Sequence, residues 1–515
     1  MKKHIINIAL ATALAVSLAS CYSDDSSLGD MSKVGAIEIA EMPTQSLISY
    51  SGNHLTVTPE IKTSFAENDL EYAWYLYEER KDAENGFRTN CISRERNLDY
   101  EVNLGSGTYT VALEVKARSN GFTKLAKMTL NVKTEFADAF YILKETAEGA
   151  SELDIATSSG VSENLITKMY GKPVSGKPVN LAMLYAQQCI DPDTEEMTTA
   201  NTINVFTETS YESYRTEDMK KVFDKTTISY AGEENTSNYR NISNGYFYAL
   251  LVADNGIAGK HYGEDFGLST GKYGLPTVEG NYSKHMQMMS QGSRGMAVWD
   301  NDNHGIYAID YNCMYADEIT ADPASDEECL ASGINKMGST ETVWFLTEDK
   351  TRGTRHLYLI NGSNGKLIEK KTLDPQLHIS KAEHAAACGG SAAYIYVVDG
   401  GKLYGYGWEN GTEAEITLPG MSGDVTFVTN QWLCDFESGG VYDFDNLIVG
   451  SQQGDSYTLF FYDSLVGGMP TGAPYMTAKG TGKVKSIRRS TPSKIGFWSI
   501  NFSAYGTMPI FPTSD

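Results

Sequence analysis

The chain has 515 residues, 66 Asp and Glu against 42 Lys and Arg, and a formal net charge of −24. With 41% apolar and 21% charged residues it can bury a large core, which excludes a disordered chain, and its acidity excludes the basic footprint that a nucleic-acid partner requires. Abundant glycine (48) and tyrosine (32) with scarce proline (14) favour a turn-rich β protein over a helical one.

Residues 1–20 read as a lipoprotein signal peptide. Lys2 and Lys3 form a cationic start, and Ile5 to Leu18 is an apolar run too short for a membrane span. Leu18-Ala19-Ser20-Cys21 resembles the bacterial lipobox. That resemblance implies cleavage before Cys21 and acylation of its thiol and new amino group. Several chains at ~0.8 kcal/mol per buried methylene give stable anchoring in an outer membrane. An ordinary signal peptide ending near a cysteine is the alternative. Ser23, Asp24 and Asp25 resemble the surface-export signal of Bacteroidota lipoproteins, or are simply part of a polar leash. Residues 21–35 are expected to be a flexible, lipidated tether facing the cell exterior.

The next unit, 36–135, alternates. Glu71 to Tyr77 surrounds Trp74, with Tyr72, Trp74 and Leu76 on one face, or their neighbours if the register slips. After the turn Gly105-Ser106-Gly107, Tyr109, Val111, Leu113 and Val115 share a face, and Lys127–Val132 supplies a further strand. Several short strands about a tryptophan predict an Ig-like sandwich with Trp74 and Tyr109 in its core. Tyr72-Ala73-Trp74 with Gly107-Thr108-Tyr109-Thr110-Val111 resembles the PKD fold. Together with the Glu78–Arg88 loop and Phe140–Lys144, the chain resembles the PKD-like surface lipoproteins of Bacteroidota.

Residues 136–515 read as short strands joined by polar, Gly-rich turns. Ala393–Val398, the turn Asp399-Gly400-Gly401, Lys402–Trp408, the turn Glu409–Thr412 and Ala414–Leu418 make three antiparallel strands, most of a propeller blade. Similar hairpins pair Met296–Trp299 with Ile306–Ile309, Val343–Leu346 with His356–Ile360, and Asn446–Val449 with Tyr457–Phe461. At about 45 residues per blade the span predicts a β-propeller-like domain of about seven to eight blades; stacked sandwiches use the same local pattern. Val161, Leu165, Ile166 and Met169 show helical spacing. Residues 253–294 lack alternation and read as a long loop, self-packed or functional, with Tyr262, Phe266, Tyr273, Tyr282 and His285 as its recognition-capable side chains.

Strong catalytic motifs are missing: there is no G-x-S-x-G elbow, H-E-x-x-H or P-loop. Cys91, Cys189, Cys313, Cys329, Cys388 and Cys434 lack CxxC spacing. Cys313 and Cys329 are the nearest pair for a bridge, with isolated buried thiols the alternative. Asp300-Asn301-Asp302-Asn303-His304-Gly305 resembles the start of a calcium loop, but Tyr311 stands where the last glutamate belongs, and a hairpin turn explains the same residues. His378 and His384 are six apart, which suits neither one helical face nor one tight turn, so scattered polar histidines are expected rather than a metal site. Asp443 and Asp445 invite a paired-carboxylate reading that spacing alone does not support. Tyr394, Tyr396, Tyr404 and Tyr406 are expected in the core rather than as a sugar platform. No catalytic residue and no cofactor beyond the covalent lipid are expected.

The family resemblance implies a non-enzymatic accessory to a SusC/SusD-like, TonB-dependent nutrient uptake system, docking on the transporter or presenting a glycan or peptide to it. A surface propeller hydrolase acting on glycans or peptides is the alternative, since such a site would draw residues from several blades.

Overall fold

A computed structural model describes residues 35–49, 53–78, 88, 90–105, 107–234, 236–244, 248–261, 269–289, 294–310, 312–320, 325–337, 340–388, 392–435, 441–463 and 465–491. The chain forms two compact units that divide between Lys133 and Thr134.

The first unit is a β-sandwich. Its strands are β1 (Ile37–Ile39), β2 (Gln45–Ile48), β3 (His54–Val57), β4 (Ile61–Thr63), β5 (Leu70–Tyr77), β6 (Cys91–Ser93), β7 (Leu98–Glu101), β8 (Gly107–Ala117) and β9 (Thr123–Lys133). One sheet runs β2-β9-β8-β5-β6; the pairs β1-β4 and β3-β7 lie apart from it. Trp74 sits opposite Leu113 and packs with Leu76, Val111, Leu113 and Val115 in one apolar cluster. Its indole N–H donates to the Glu95 carbonyl at 3.0 Å, so the ring buries without orphaning its donor. Tyr109 joins the cluster, and its hydroxyl reaches the Gly105 carbonyl at 3.0 Å. The alternation holds, yet Tyr75 and Tyr77 are buried too: with Ala73 and Ala112 they form a second cluster on the other face of the sheet.

The second unit is a seven-bladed ring. Blade 1 has β10 (Ala139–Glu145), β11 (Ser151–Thr157) and β12 (Gly160–Ser162). Blade 2 has β13 (Pro178–Ile190), β14 (Met197–Thr207), β15 (Tyr211–Arg215) and β16 (Lys221–Asp224). Blade 3 has β17 (Tyr239–Asn244), β18 (Tyr248–Ala253), β19 (Gly256–His261) and β20 (Val278–Glu279). Blade 4 has β21 (Tyr282–Met288), β22 (Arg294–Asp300), β23 (Gly305–Asp310) and β24 (Ala316–Glu318). Blade 5 has β25 (Glu327–Met337), β26 (Thr340–Asp349), β27 (Thr354–Asn361) and β28 (Leu367–Thr372). Blade 6 has β29 (His384–Ala387), β30 (Tyr394–Asp399), β31 (Lys402–Gly407) and β32 (Thr412–Glu415). Blade 7 has β33 (Phe427–Asp435), β34 (Val441–Gln453), β35 (Ser456–Tyr462) and β36 (Met476–Thr481). The last strand, β37 (Lys483–Ser490), returns to pair with β10, so blade 1 is built from both ends of the unit. The first strand of each blade lies against the first strand of the next, from β13 round through β33 to β37 and back to β13. Among the described residues this makes seven four-stranded sheets.

The expected hairpins are present in register: Trp299 faces Ile306, Trp344 faces Leu359, and Ile448 faces Phe461. In blade 6 Asp399 pairs with Lys402. The two residues between them, Gly400 and Gly401, have φ of 56° and 76°, the left-handed turn that Cβ-bearing residues resist. The helical spacing yields one short helix, α1 (Leu165–Tyr170), with Leu165 and Ile166 buried and Gly171 ending it at φ 78°.

Residues 253–294 depart from the long-loop expectation. They carry β19, β20 and β21. Inner blade strands are covered on both faces, so period-two alternation is lost although the segment is extended.

Candidate functional site

The expected lipidation and export residues, Cys21, Ser23, Asp24 and Asp25, lie outside the described residues, as do Tyr262, Phe266 and Tyr311. Tyr273, Tyr282 and His285 are buried rather than displayed for a ligand. The tryptophans Trp74, Trp299, Trp344, Trp408 and Trp432 and the tyrosines Tyr396, Tyr404 and Tyr406 are core residues, and Tyr394 packs partly buried against the same interior. None of them forms an exposed stacking platform.

The Asp300 loop is a turn. The Asp300 carboxylate accepts from the backbone N–H of Asp302 (2.8 Å) and Asn303 (3.0 Å) and from the Asn303 amide (3.0 Å). Asp302 accepts from the Asn281 amide at 3.0 Å. Asp445 accepts from the Asn430 amide at 2.7 Å, and the Asp443 side chain lies outside the described set. His378 pairs with Asp399 at 2.7 Å and stacks on Tyr404 at 3.6 Å, whereas His384 packs against Phe427. Among the described residues no three His, Cys, Asp or Glu side chains are grouped to hold a metal.

The five cysteines with described side chains, Cys91, Cys189, Cys313, Cys329 and Cys388, are all free, so Cys313 and Cys329 are not bridged. Burial pushes the Cys189 and Cys313 thiols up to about 11 and Cys329 well above its ordinary value. Burial thus disfavours the reactive thiolate form at all three.

Inside the ring, buried polar groups act as staples. Glu327 is fully buried in blade 5. Its carboxylate takes the Thr347 hydroxyl, lies 3.0 Å from His356 Nδ1, and accepts from Tyr358 at 3.0 and 3.1 Å. Glu152 accepts from the N–H groups of Ile166 (2.8 Å) and Thr167 (3.0 Å), holding the start of α1. Amides on first strands reach across to the next blade. Asn180 donates to the Arg240 carbonyl (3.4 Å), Asn241 to the Lys284 carbonyl (2.8 Å), Gln287 to the Ser332 hydroxyl (3.0 Å) and Asn335 to the Ala392 carbonyl (2.7 Å). Sequence reasoning passed over these residues. Their signal was a lone amide inside an apolar run, as in Pro178-Val179-Asn180-Leu181-Ala182.

Among the described residues, one surface cleft lies in blade 3 and its approach from blade 2. The cleft, of about 40 Å³, has a floor that includes Ser229, Tyr239, Leu251 and Ala258 and a rim that includes Asn255 and Leu275. Leu275 is 78% exposed beside it. Tyr230, between the lining residues Ser229 and Ala231, is also largely exposed, its hydroxyl 3.1 Å from Thr270 Oγ1. Gly256 and Ala258 line the cleft, and Lys260 follows on the same face of β19 by the period of two. The Lys260 ammonium donates to the Gly271 carbonyl at 3.3 Å and lies 5.3 Å from the Tyr273 ring centre. Burial without a carboxylate partner among the described residues lowers it to about 8. The cleft has room for one small side chain or substituent, and its lining is mainly apolar, with the hydroxyls of Ser229, Ser237 and Tyr239 and the Asn255 amide as its polar side-chain groups.

The architecture therefore defines an all-β protein with a sandwich unit and a seven-bladed propeller. The PKD-like family profile matches residues 21–178, a span that takes in the sandwich, the first three strands of blade 1 and α1. A search of the curated proteins finds no significant match. Among solved structures the chain is similar to a quinonprotein alcohol dehydrogenase-like protein from Bacteroides thetaiotaomicron, 13% identical over 88% of this chain and 99% of that one, with a TM-score of 0.50. The WD40 domain of SCAP from fission yeast is 10% identical over 65% of this chain and 74% of its own, with a TM-score of 0.33. Apo AztD from Citrobacter koseri is 10% identical over 81% and 100%, with a TM-score of 0.31. At 13% identity the likeness to the Bacteroides protein is one of fold alone.

Proposed function

We propose that the protein is a non-enzymatic surface lipoprotein, anchored in the outer membrane through Cys21, that serves a SusC/SusD-like transporter as a docking or ligand-presenting accessory. The observation that carries this reading is how the ring uses its buried acids. Glu152, Glu327 and Asp300 are each engaged by N–H, hydroxyl or imidazole groups of the surrounding fold. The cleft of blade 3 offers contact surface without a carboxylate, histidine, lysine or cysteine in its lining. The PKD-like match supports the reading, as does the resemblance of Leu18-Ala19-Ser20-Cys21 to a lipobox. A tether raises the local concentration of such a protein near other anchored partners, so weak contacts suffice.

The test is a detergent pull-down of C-terminally tagged protein from outer membranes of the native host. Stoichiometric recovery of a TonB-dependent transporter with a SusD-like lid supports the reading. Recovery of the lipoprotein alone, under conditions that keep a known transporter complex intact, overturns it. Metabolic labelling with a palmitate analogue, lost in Cys21→Ser, tests the anchor separately.

A further inference from the structure

Blade 1 contains a buried arrangement that the proposed function does not use. Lys144 on β10 and Asp154 on β11 are both fully buried, and the Lys144 Nζ lies 2.7 Å from Asp154 Oδ1. Glu163 Oε2 lies 3.5 Å from the same Nζ. The other Asp154 oxygen, Oδ2, accepts from the Tyr457 hydroxyl at 2.6 Å, and Oδ1 also accepts from the Asn164 N–H at 2.7 Å. An amine, an acyl carbon, a second carboxylate and a hydroxyl donor thus converge, with Lys144 and Asp154 shut off from bulk water and Glu163, 37% exposed, at the edge facing it. These are the parts needed to join an amine to a carboxyl group.

We propose that Lys144 and Asp154 condense into an intramolecular isopeptide bond, with Glu163 moving the proton and Tyr457 holding the acyl oxygen. The Lys144 ammonium first passes a proton to Asp154 Oδ1, leaving a neutral amine beside a neutral acid. The Nζ lone pair attacks Cγ, and the charge that develops on Oδ2 is met by the Tyr457 O–H. Glu163 takes a proton from the nitrogen and returns it to the Oδ1 hydroxyl. The Cγ–Oδ1 bond then breaks. One amide and one water result, Glu163 ends ionised as it began, and no oxidant or other reactant is needed.

The surroundings favour each state. Burial raises the Asp154 carboxyl, against the pull of Lys144, Tyr457 and the Asn164 N–H, which eases formation of the neutral acid. Burial also acts to raise Glu163, but the Thr481 N–H and hydroxyl and Lys144 outweigh it, so Glu163 is held ionised as a proton acceptor. Burial and Asp154 push the Tyr457 phenol well above its ordinary value, so it remains a donor. The position has a mechanical sense. β10 is the first strand after the sandwich; on the membrane-anchored reading proposed above, tension on the tether would enter the ring there. A covalent tie to β11 carries that load past the hydrogen bonds of one strand.

The experiment is mass spectrometry on the full-length purified protein. The expected result is an intact mass one water below that of the linear chain. On denaturation and digestion, trypsin should fail after Lys144 and release Thr134–Lys168 as one looped peptide lighter by one water. Full recovery of linear Thr134–Lys144 and Glu145–Lys168 overturns the proposal. So does a water loss with Lys144 still cleaved, which places the dehydration elsewhere, as in a succinimide. Lys144→Arg and Asp154→Ala should restore the full mass while circular dichroism shows the β fold retained. Glu163→Gln should lower the cross-linked fraction; an unchanged fraction overturns its assignment as proton carrier.

Discussion

The sandwich and the propeller hold themselves together in different ways. Around Trp74 the sandwich buries apolar side chains almost throughout, and Ser49 is the one buried polar residue among its described residues. The ring buries Lys144, Glu152, Asp154, Glu327 and a series of first-strand amides. Apolar burial is non-directional and suffices to close one small core. Seven similar sheets could pack in shifted ways. Directed bonds such as those of Asn241 to the Lys284 carbonyl and Gln287 to Ser332 fix how each blade meets the next. The ends are tied in the same manner, by β10 against β37 and by Tyr457 of blade 7 on Asp154 of blade 1.

The comparison can be broken by truncation. Trp74→Ala empties the centre of the sandwich and should cost about 3–5 kcal/mol. In calorimetry one transition should fall while the ring's transition stays. A common fall of both would show that the units melt together. Glu327→Ala leaves Thr347, His356 and Tyr358 facing a void without their acceptor. It should cost the ring about 3 kcal/mol, and Glu327→Gln less, with the sandwich unmoved; an equal loss in both variants would mean that shape rather than charge matters there.

A smaller effect comes from Lys260. Its folded value is lowered to about 8 from an ordinary 10.5, so above pH 8 the unfolded chain binds more protons than the folded one. Ring stability from this group therefore rises with pH between those values. Cys189 and Cys313, raised to about 11 from 9, act the opposite way above pH 9. The window to read is pH 8 to 9, by denaturant midpoints of wild type against Lys260→Met. Parallel pH profiles of the two proteins would refute the assignment.

Much of the fold was legible because alternation and turn chemistry are local. Tyr109, Val111, Leu113 and Val115 on one face, Asp399-Gly400-Gly401 as a tight turn, and Met296–Trp299 against Ile306–Ile309 follow from residues within a few positions of one another. Residues 253–294 misled for a physical reason: strands buried on both faces need no alternation, so β19 and β21 read as loop. The site was less legible still. Asp154 and Tyr457 are three hundred residues apart in sequence and meet at 2.6 Å because the ring closes. Lys260 is set apart by what surrounds it, the Gly271 carbonyl and Tyr273, and not by any motif.

By itself the sequence determined the class of secondary structure, the sandwich about Trp74 and the hairpins, since each rests on propensity or on short-range pattern. Only the tertiary structure decided that there are seven blades, that β37 completes the first, that the cysteines stand apart, and which buried acids meet which partners. Those outcomes depend on closing a ring, and closure is a property of how every sheet meets its neighbour rather than of any one segment.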